Sequence, residues 1–404
     1  MRILLSGLLT VVLLWSFPTL AQAPKLDPEV VALVQGNNDF ALTLYHQIAA
    51  KDGNLFFSPY SISNALAMTY AGARGNTAAE MKTTLRFNLA ADRLPPAFCK
   101  LIAQLDDDGK PHPFQLTVAN RLWGQKDYGF LSEFTKIGKE YYRAGLEEVD
   151  FARSAEVARK TINAWVEKKT RDKIKDLIPP DALDDTTRLV LTNAIYFKGA
   201  WLHQFDPRAT KSAPFHLTNG ETIDTPTMRI TRTLPFASHD SFLMLQLPYE
   251  GQGQSMIVLL PKKKDGLGEL EKQLNATTLS KWLQKLSTQE VDVKLPKFKV
   301  TAEVTLNDIL KQMGMKDAFT PGKADFSGMT TRESLYISAV LHKAFVDVNE
   351  AGTEAAAATA VIIKTVLEPP PPTPFHADHP FVYLIRDNAT GSILFAGRLA
   401  DPGK

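Results

Sequence analysis

The sequence predicts an α+β fold, with helices concentrated in the first half of the chain and strands in the second. Two observations support this. Helix-start signals come early, whereas strand-like runs with β-branched or alternating apolar residues come late. The two kinds of segment do not alternate regularly along the chain, so antiparallel or mixed sheets are favoured over a parallel α/β sheet.

Three early segments carry helix-start signals. Ser58 followed by Pro59 supplies a side-chain cap and then a residue with a pre-set φ. The segment Thr77-Ala-Ala-Glu80 has the pattern of a capping box that opens a further helix. Ser154 is expected to cap another helix, which carries Trp165.

Four later segments have the composition and alternation of strands. They are residues 242–247, 256–260, 291–300 and 392–399.

The composition is that of an ordinary globular protein. Of 404 residues, 44% are hydrophobic and 22% charged, which argues against disorder, and the net charge of +2 predicts no nucleic-acid or membrane-surface partner. No linker, repeat or charge block divides the chain. The single Cys99 cannot form a disulfide within the chain.

The first 23 residues have the pattern of a signal peptide. Arg2 precedes an apolar run, and Ala21-Gln-Ala23 offers a cleavage site of small residues. A membrane anchor is less favoured, because the apolar run is shorter than the ~20 residues needed to span a bilayer. We therefore expect a protein that is secreted or extracellular, or periplasmic in a bacterial host.

The segment from Glu350 to Thr359 is rich in Ala and other small residues. Taken alone it could be a helix, because Ala is the best helix former. However, the β-branched run Val361-Ile-Ile363 and then Pro369-Pro-Pro-Pro372 follow it, which favours extended structure. We therefore expect a long exposed loop at about residues 350–374, whose first part could become a strand.

With this loop, four further segments resemble the serpin family of protease inhibitors, in the family's order and across most of residues 30–402. In particular, the chain resembles secreted inhibitory serpins of bacterial type. The four segments are Asn54-Leu-Phe-Phe-Ser-Pro-Tyr-Ser-Ile62, Leu191-Thr-Asn-Ala-Ile-Tyr-Phe-Lys-Gly-Ala-Trp201, Ala324-Asp-Phe-Ser-Gly-Met329 and His379-Pro-Phe-Val-Tyr-Leu-Ile-Arg386.

The resemblance implies a single serpin domain over residues 24–404, with helices packed around three β-sheets and an exposed reactive-centre loop. It also implies a suicide-substrate mechanism, in which a serine protease cuts the loop and is trapped as an acyl-enzyme when the loop inserts into the main sheet. The loop hinge would consist of Glu350, Gly352, Thr353, Glu354, Ala355, Ala356, Ala357, Ala358 and Thr359.

Inhibitory serpins place the attacked bond sixteen residues after the hinge glutamate, which here gives Val366–Leu367. Valine at the primary position suits an elastase-like protease with a small apolar pocket. If the register slips by one, so that Leu367 is primary, chymotrypsin-like or subtilisin-like targets are favoured instead.

Two groups of supporting residues follow from the same resemblance. A polar cluster beneath the main sheet, which governs whether its strands separate, would consist of Ser58, Ser61, Asn193 and His342. The site where the hinge first enters the sheet would consist of Trp201, Lys297 and Glu350.

Other functions find little support in the sequence. It lacks the motifs of hydrolases, zinc proteases and nucleotide-binding proteins, so we expect no enzyme, no cofactor and no metal. Residues 92–110 are more acidic than basic, so no heparin site is expected there. A monomer is expected. The alternative function is that of a non-inhibitory serpin, a carrier or chaperone-like binding protein, whose loop is only a substrate.

Overall fold

A computed structural model of the protein describes residues 26–105, 114–332, 335–353 and 371–403. The predicted signal peptide, residues 1–23, lies outside these ranges and stays a prediction. The helices of the described ranges are α1 (Pro28–Ile48), α2 (Pro59–Tyr70), α3 (Gly75–Thr84), α4 (Leu94–Leu105), α5 (Ser132–Tyr142), α6 (Phe151–Lys169), α7 (Leu267–Gln273), α8 (Ala276–Leu283) and α9 (Asn307–Gln312).

The strands are concentrated in the second half, as predicted. They are β1 (Leu55–Phe57), β2 (Phe114–Gln125), β3 (Leu146–Val149), β4 (Leu189–Ala200), β5 (Lys211–His216), β6 (Thr222–Ser238), β7 (Phe242–Pro248), β8 (Gln254–Pro261), β9 (Ser287–Pro296), β10 (Phe298–Thr305), β11 (Ala339–Asn349), β12 (Gly352–Thr353), β13 (Thr373–His376), β14 (Phe381–Asp387) and β15 (Ile393–Leu399).

These strands form two hydrogen-bonded sheets. The six-stranded sheet has the order β10-β11-β12-β4-β2-β3, and β11 also pairs directly with β4. The nine-stranded sheet has the order β1-β15-β14-β8-β7-β6-β9-β13, with β5 on β6. Three sheets were expected, but the long strand β6 pairs with β5 and β9 and then, at its end, with β7, so two strand groups join into one sheet.

Helix α2 begins as the sequence predicts. The Ser58 side chain accepts a hydrogen bond from the Ser61 N–H at 3.2 Å, and Pro59 occupies the first helical position. Every residue of α2 is buried, because the helix lies between the two sheets and contacts β15, β4 and β2. It therefore carries Ser58 and Ser61 to the inner face of the six-stranded sheet.

The predicted capping box at Thr77 and Glu80 is wrong. Helix α3 begins two residues earlier, at Gly75, and both side chains reach across to another segment. Thr77 Oγ1 accepts from the Asp325 N–H at 3.0 Å, and Glu80 Oε2 accepts from the Asp317 N–H at 2.7 Å. These residues fix α3 to the segment after α9 rather than starting a helix.

Helix α6 consists of two helical parts that meet at a kink at Ser154, the residue predicted to cap the helix that carries Trp165. Asp150 caps the first turn, with its carboxylate accepting from the Arg153 N–H at 3.1 Å. Ser154 lies at a break inside the helix, where φ is −151° and ψ is 51°. Trp165 lies on α6, as predicted.

The predicted strand 291–300 is two strands, β9 and β10, which belong to different sheets and meet at Lys297. The predicted loop is shorter at both ends, because Gly352 and Thr353 form β12, and Thr373 and Pro374 already belong to β13, which pairs with β9.

Helix α6 covers the outer face of the six-stranded sheet. Ile162 and Val166 of this helix pack in a second apolar core with Trp123, Val190 and Leu341 of the sheet. The opposite face of the sheet packs on the main core, so the middle of the six-stranded sheet is covered on both sides.

Candidate functional site

The site begins where β11 ends and the chain turns back at Glu350. Ala351 O accepts from the Trp201 N–H at 3.0 Å, and Glu350 O accepts from the Phe205 N–H at 2.9 Å. The Trp201 indole N–H donates to Asn349 O at 3.0 Å. The segment that follows β4 therefore holds the turn through two backbone N–H groups and the Trp201 indole.

The Glu350 carboxylate is held by two side chains. Lys297 Nζ lies 2.9 Å from Oε2, and the Thr210 hydroxyl donates to Oε1 at 2.8 Å. Burial alone would raise the pKa of Glu350, but the hydrogen bonds from Lys297 and Thr210 and the lysine's charge hold it below its usual value. The structure thus brings together Trp201, Lys297 and Glu350, the three residues proposed for hinge entry.

After this turn, β12 lies between the upper ends of β4 and β11. Gly352 pairs with Ala200 of β4 and with Asn349 of β11, and Thr353 pairs with Gly199 and Val348. Only glycine fits at position 352. Its φ is +148°, which other residues rarely adopt, and a Cβ there would lie 2.1 Å from Gly199 O. The first two residues after the turn therefore already form a strand of the sheet.

Thr353 is fully buried, and its hydroxyl lies 2.9 Å from the Tyr249 hydroxyl. The Tyr249 ring stacks on Trp201 with centroids 4.6 Å apart, and burial raises the pKa of its phenol. A threonine thus fits this position through one hydrogen bond and a small apolar surface, and a charged side chain would have no partner there.

Below β12, β4 and β11 contact each other directly, and their Asn193–His342 pair lies about 20 Å from Thr353, estimated from six residues at ~3.3 Å each. Their parallel pairing runs from Val190 with Ala339 to Tyr196 with Phe345, and it places Asn193 beside His342. The His342 Nδ1 atom makes a short hydrogen bond to Asn193 Oδ1. A hydrogen bond between side chains therefore joins β4 and β11 here, whereas β12 separates the same two strands at their upper ends.

The four residues of the predicted polar cluster lie together. Asn193 Nδ2 donates to Ser61 Oγ at 2.7 Å, and the Ser58 backbone N–H donates to His342 Nε2 at 3.1 Å. Ser58 Oγ donates to Leu394 O of β15 at 2.6 Å. The cluster thus connects the strand pair to α2 and to the other sheet.

His342 is neutral in this arrangement. Its Nε2 accepts from the Ser58 N–H, so the proton lies on Nδ1 and is donated to Asn193. The ring is fully buried, and desolvation lowers its pKa to about 3. Protonation would give the ring two donors, of which one would face the Ser58 N–H.

Sequence reasoning missed three residues of the site. Asn120 of β2 accepts from both Asn193 Nδ2, at 2.6 Å, and Ser61 Oγ, at 3.0 Å, so it belongs to the polar cluster. Tyr249 and Thr210 contact the hinge. Only Asn120 gives a sequence signal, because Val118 and Leu122, its neighbours on the same strand face, are apolar, and a buried amide there needs a partner.

Several predicted residues fall outside the described ranges. They are the reactive bond Val366–Leu367 and the hinge residues Glu354, Ala355, Ala356, Ala357, Ala358 and Thr359. Their roles stay predictions.

Within the described ranges, no group of three or more His, Cys, Asp or Glu side chains could hold a metal ion. His376 pairs with Asp292 at 3.0 Å, while His379 lies between Asp378 and Pro261 O, both at 2.7 Å. No helix of the same ranges is long and apolar enough to cross a membrane.

Comparison with known proteins adds three findings. The model of the family described as serpin (serine protease inhibitor) matches residues 35–402. Leukocyte elastase inhibitor from Bos taurus is 43% identical over 380 residues, covering 92% of this chain and 99% of its own length, and human serpin B3 is 41% identical, covering 92% and 100%. The crystal structure of Serpin48, a highly specific serpin of the insect Tenebrio molitor, has a TM-score of 0.81 and 33% identity, with 91% of this chain and 98% of that one covered.

These findings correct the expected location. A secreted, extracellular or periplasmic protein was predicted, but the leukocyte elastase inhibitors matched in cattle, human and mouse are intracellular inhibitors. The apolar pattern of residues 1–23 therefore does not establish export.

Proposed function

Since the chain belongs to the serpin family, described as serine protease inhibitors, and has relatives that are named elastase inhibitors, we propose that it traps serine proteases as a suicide substrate. A protease would attack the Val366–Leu367 bond and form an acyl-enzyme. The freed part of the loop would then enter the six-stranded sheet between β4 and β11 and draw the bound protease with it. The observation that carries this proposal is β12, which already occupies the entrance to that position.

The pairing of β12 defines where each further residue would lie. Thr353 pairs with Gly199 and Val348, so a residue six positions later, Thr359, would lie between residues six positions earlier in β4 and β11. Those residues are Asn193 and His342. Insertion would therefore break the hydrogen bond between the Asn193 and His342 side chains. The Thr359 hydroxyl would then lie between these two side chains and could serve as a new hydrogen-bond partner.

In the same register, apolar side chains of the loop would face the apolar core on each side of the six-stranded sheet. Side chains on the Thr353 face, at 355, 357 and 361, would lie beside strand residues of the main core, such as Ile195 and Ala344. On the other face, Ile362 would lie nine positions after Thr353, beside Val190 and Ala339 under α6. Ile362, the one residue of that face unsuited to solvent, would thus be covered.

Insertion would release enough free energy to distort a protease. A new central strand forms backbone hydrogen bonds on both edges, and only the direct β4–β11 ladder is lost. At about 0.5–1.5 kcal/mol for each net bond, the release is on the order of 10 kcal/mol. The uncleaved loop cannot reach this state because β13 ties its far end to β9.

For the target, we propose an elastase-like protease. Val366 at the primary position suits a small apolar pocket, and the relatives at 42–43% identity are named elastase inhibitors. A primary Leu367 would favour chymotrypsin-like or subtilisin-like enzymes instead.

The test is to mix the purified protein with elastase, chymotrypsin, subtilisin and trypsin, and to follow denaturing gels and intact masses. We expect an SDS-stable adduct with elastase and a released peptide that begins at Leu367. Cleavage in the loop without an adduct, and with the protease still active, would instead favour a non-inhibitory serpin whose loop is only a substrate.

A further inference from the structure

The hairpin that joins β5 to β6 turns through Asn219 and Gly220, and both residues are exposed. Asn219 is the only asparagine in the sequence that is followed by glycine. The side chain of an asparagine can be attacked by the backbone nitrogen of the next residue, and glycine hinders this attack least because it has no Cβ. The Gly220 nitrogen is therefore the least hindered nucleophile that follows any asparagine of the chain.

The Asn219 side-chain amide is held at both ends by Glu221. Its Oδ1 accepts from the Glu221 N–H at 3.0 Å, and its Nδ2 donates to Glu221 Oε2 at 2.8 Å. The first bond folds the side chain back along the turn, as asparagine side chains commonly do. It also directs a backbone N–H at the oxygen on which negative charge develops when Cγ is attacked, and such a donor lowers the barrier.

The attacking nitrogen is held by a single bond in this turn. The Gly220 N–H donates to Leu217 O at 3.1 Å, while the Leu217 N–H donates to Glu221 O at 2.8 Å and closes the hairpin. The φ of Gly220 is +88°, and apart from its chain neighbours no described atom lies within 4 Å of the position that a Cβ would take. Only the bond to Leu217 O must open for the nitrogen to react, and solvent reaches it directly.

We propose that Asn219 is a site of spontaneous deamidation in the folded protein. Solvent base removes the Gly220 N–H proton, the nitrogen bonds to Asn219 Cγ, and the C–NH2 bond breaks, so that the amine takes a proton from solvent and leaves as ammonia. Water then opens the succinimide ring at either carbonyl and leaves an aspartate or an isoaspartate. Water is the only reagent consumed, and the inference does not depend on the proposed protease inhibition.

The product would change the turn. A carboxylate in place of the Asn219 amide removes the donor to Glu221 Oε2 and places two negative charges side by side, which repel each other. An isoaspartate also lengthens the backbone by one methylene, so the Leu217 N–H and Glu221 O would lose their present alignment. Each modified molecule therefore gains one negative charge and a looser hairpin end.

Incubation of the full chain at mildly alkaline pH, followed by tryptic digestion and mass spectrometry, tests this inference. Trypsin releases residues 212–229, in which Asn219 is the only side-chain amide, and residues 273–281, which contain Asn275. Asn275 is the internal control: it is also exposed and its Oδ1 also accepts a backbone N–H, from Thr278 at 2.9 Å, but alanine follows it. We expect the mass gain of an amide-to-acid change in 212–229 at least about tenfold faster than in 273–281, at a rate that rises with pH.

Two variants separate the chemistry from the fold. Gly220→Ala places a Cβ beside the attacking nitrogen and should slow the mass gain about tenfold. Asn219→Gln keeps an exposed amide but is too long to close the five-membered ring, so its peptide should gain no mass. A digest made before incubation corrects for deamidation during proteolysis. The inference is overturned if 212–229 gains mass no faster than 273–281, or if it gains mass only when the chain is unfolded in urea.

Discussion

The upper and middle parts of the β4–β11 strand pair show two arrangements of the same strands. At the top, β12 separates them, and Thr353 fills the space with a hydrogen bond to Tyr249. In the middle they pair directly, and His342 bonds to Asn193 across the junction. The contrast indicates that the sheet can accept a third strand here, and that a small set of side-chain contacts sets how far the opening extends.

The largest expected effect comes from a charge at the upper opening. Thr353→Arg would place a guanidinium where threonine is fully buried against Tyr249, so the hinge could no longer enter the sheet. We expect conversion from inhibitor to substrate, measured as at least a tenfold rise in the number of inhibitor molecules cleaved for each protease trapped.

The matched control puts the same cation one position later. Glu354→Arg lies on the opposite face of the proposed inserted strand, so it should trap protease as the unaltered protein does. Equal trapping by Thr353→Arg and Glu354→Arg would contradict insertion along the proposed register.

In the middle of the pair, removing the imidazole should destabilise the closed arrangement. His342→Ala leaves Asn193 Oδ1 and the Ser58 N–H without a partner in a buried site. We expect a loss of about 3 kcal/mol in the free energy of unfolding, measured in urea, and faster polymerisation on warming. His342→Gln retains a donor and an acceptor and should lose less; a stability of His342→Ala equal to that of the unaltered protein would show that the bond does not hold the strands.

Some of this site could be predicted from sequence because its signals are local. Ser58 and Pro59 start α2 by short-range chemistry, and the tertiary structure keeps that start. Thr77 and Glu80 have the same kind of local signal, but backbone N–H groups from Asp325 and Asp317 compete for their side chains. A local pattern therefore fails where a distant segment supplies the partner.

Contacts between sheets were harder to predict. The alternation of residues 291–300 is continuous in sequence, yet Lys297 marks the passage from one sheet to the other. Tyr249 reaches Thr353 across 104 residues, and Asn120 reaches Ser61 across 59, so neither contact leaves a short-range pattern. The resemblance to serpins predicted the site residues that belong to the family's motifs. The register of β12 between β4 and β11 could be determined only from the structure.

The middle of the strand pair should also depend on pH. Burial lowers the pKa of His342 from an ordinary 6.5 to about 3, so below pH 6.5 the unfolded chain binds a proton that the folded chain excludes. The free energy of unfolding therefore falls as the pH falls from 6.5 towards 3, and this residue's share of the loss at pH 5 is about 2 kcal/mol. Urea unfolding of the unaltered protein and of His342→Gln at pH 7.5 and 5.0 measures that share, and an identical pH dependence of the two would exclude it.

The smallest effect is expected at the ion pair beside the upper opening. Lys297 is 39% exposed, so water screens its attraction to Glu350 and the pair should contribute below about 1 kcal/mol. The backbone bonds from Trp201 and Phe205 hold the turn even without it. Lys297→Glu and Glu350→Lys should therefore each change loop insertion and polymerisation modestly, and the double variant should recover part of the change. If neither single variant alters insertion or polymerisation, the pair has no gating role, and the entrance is held by Tyr249, Trp201 and the backbone alone.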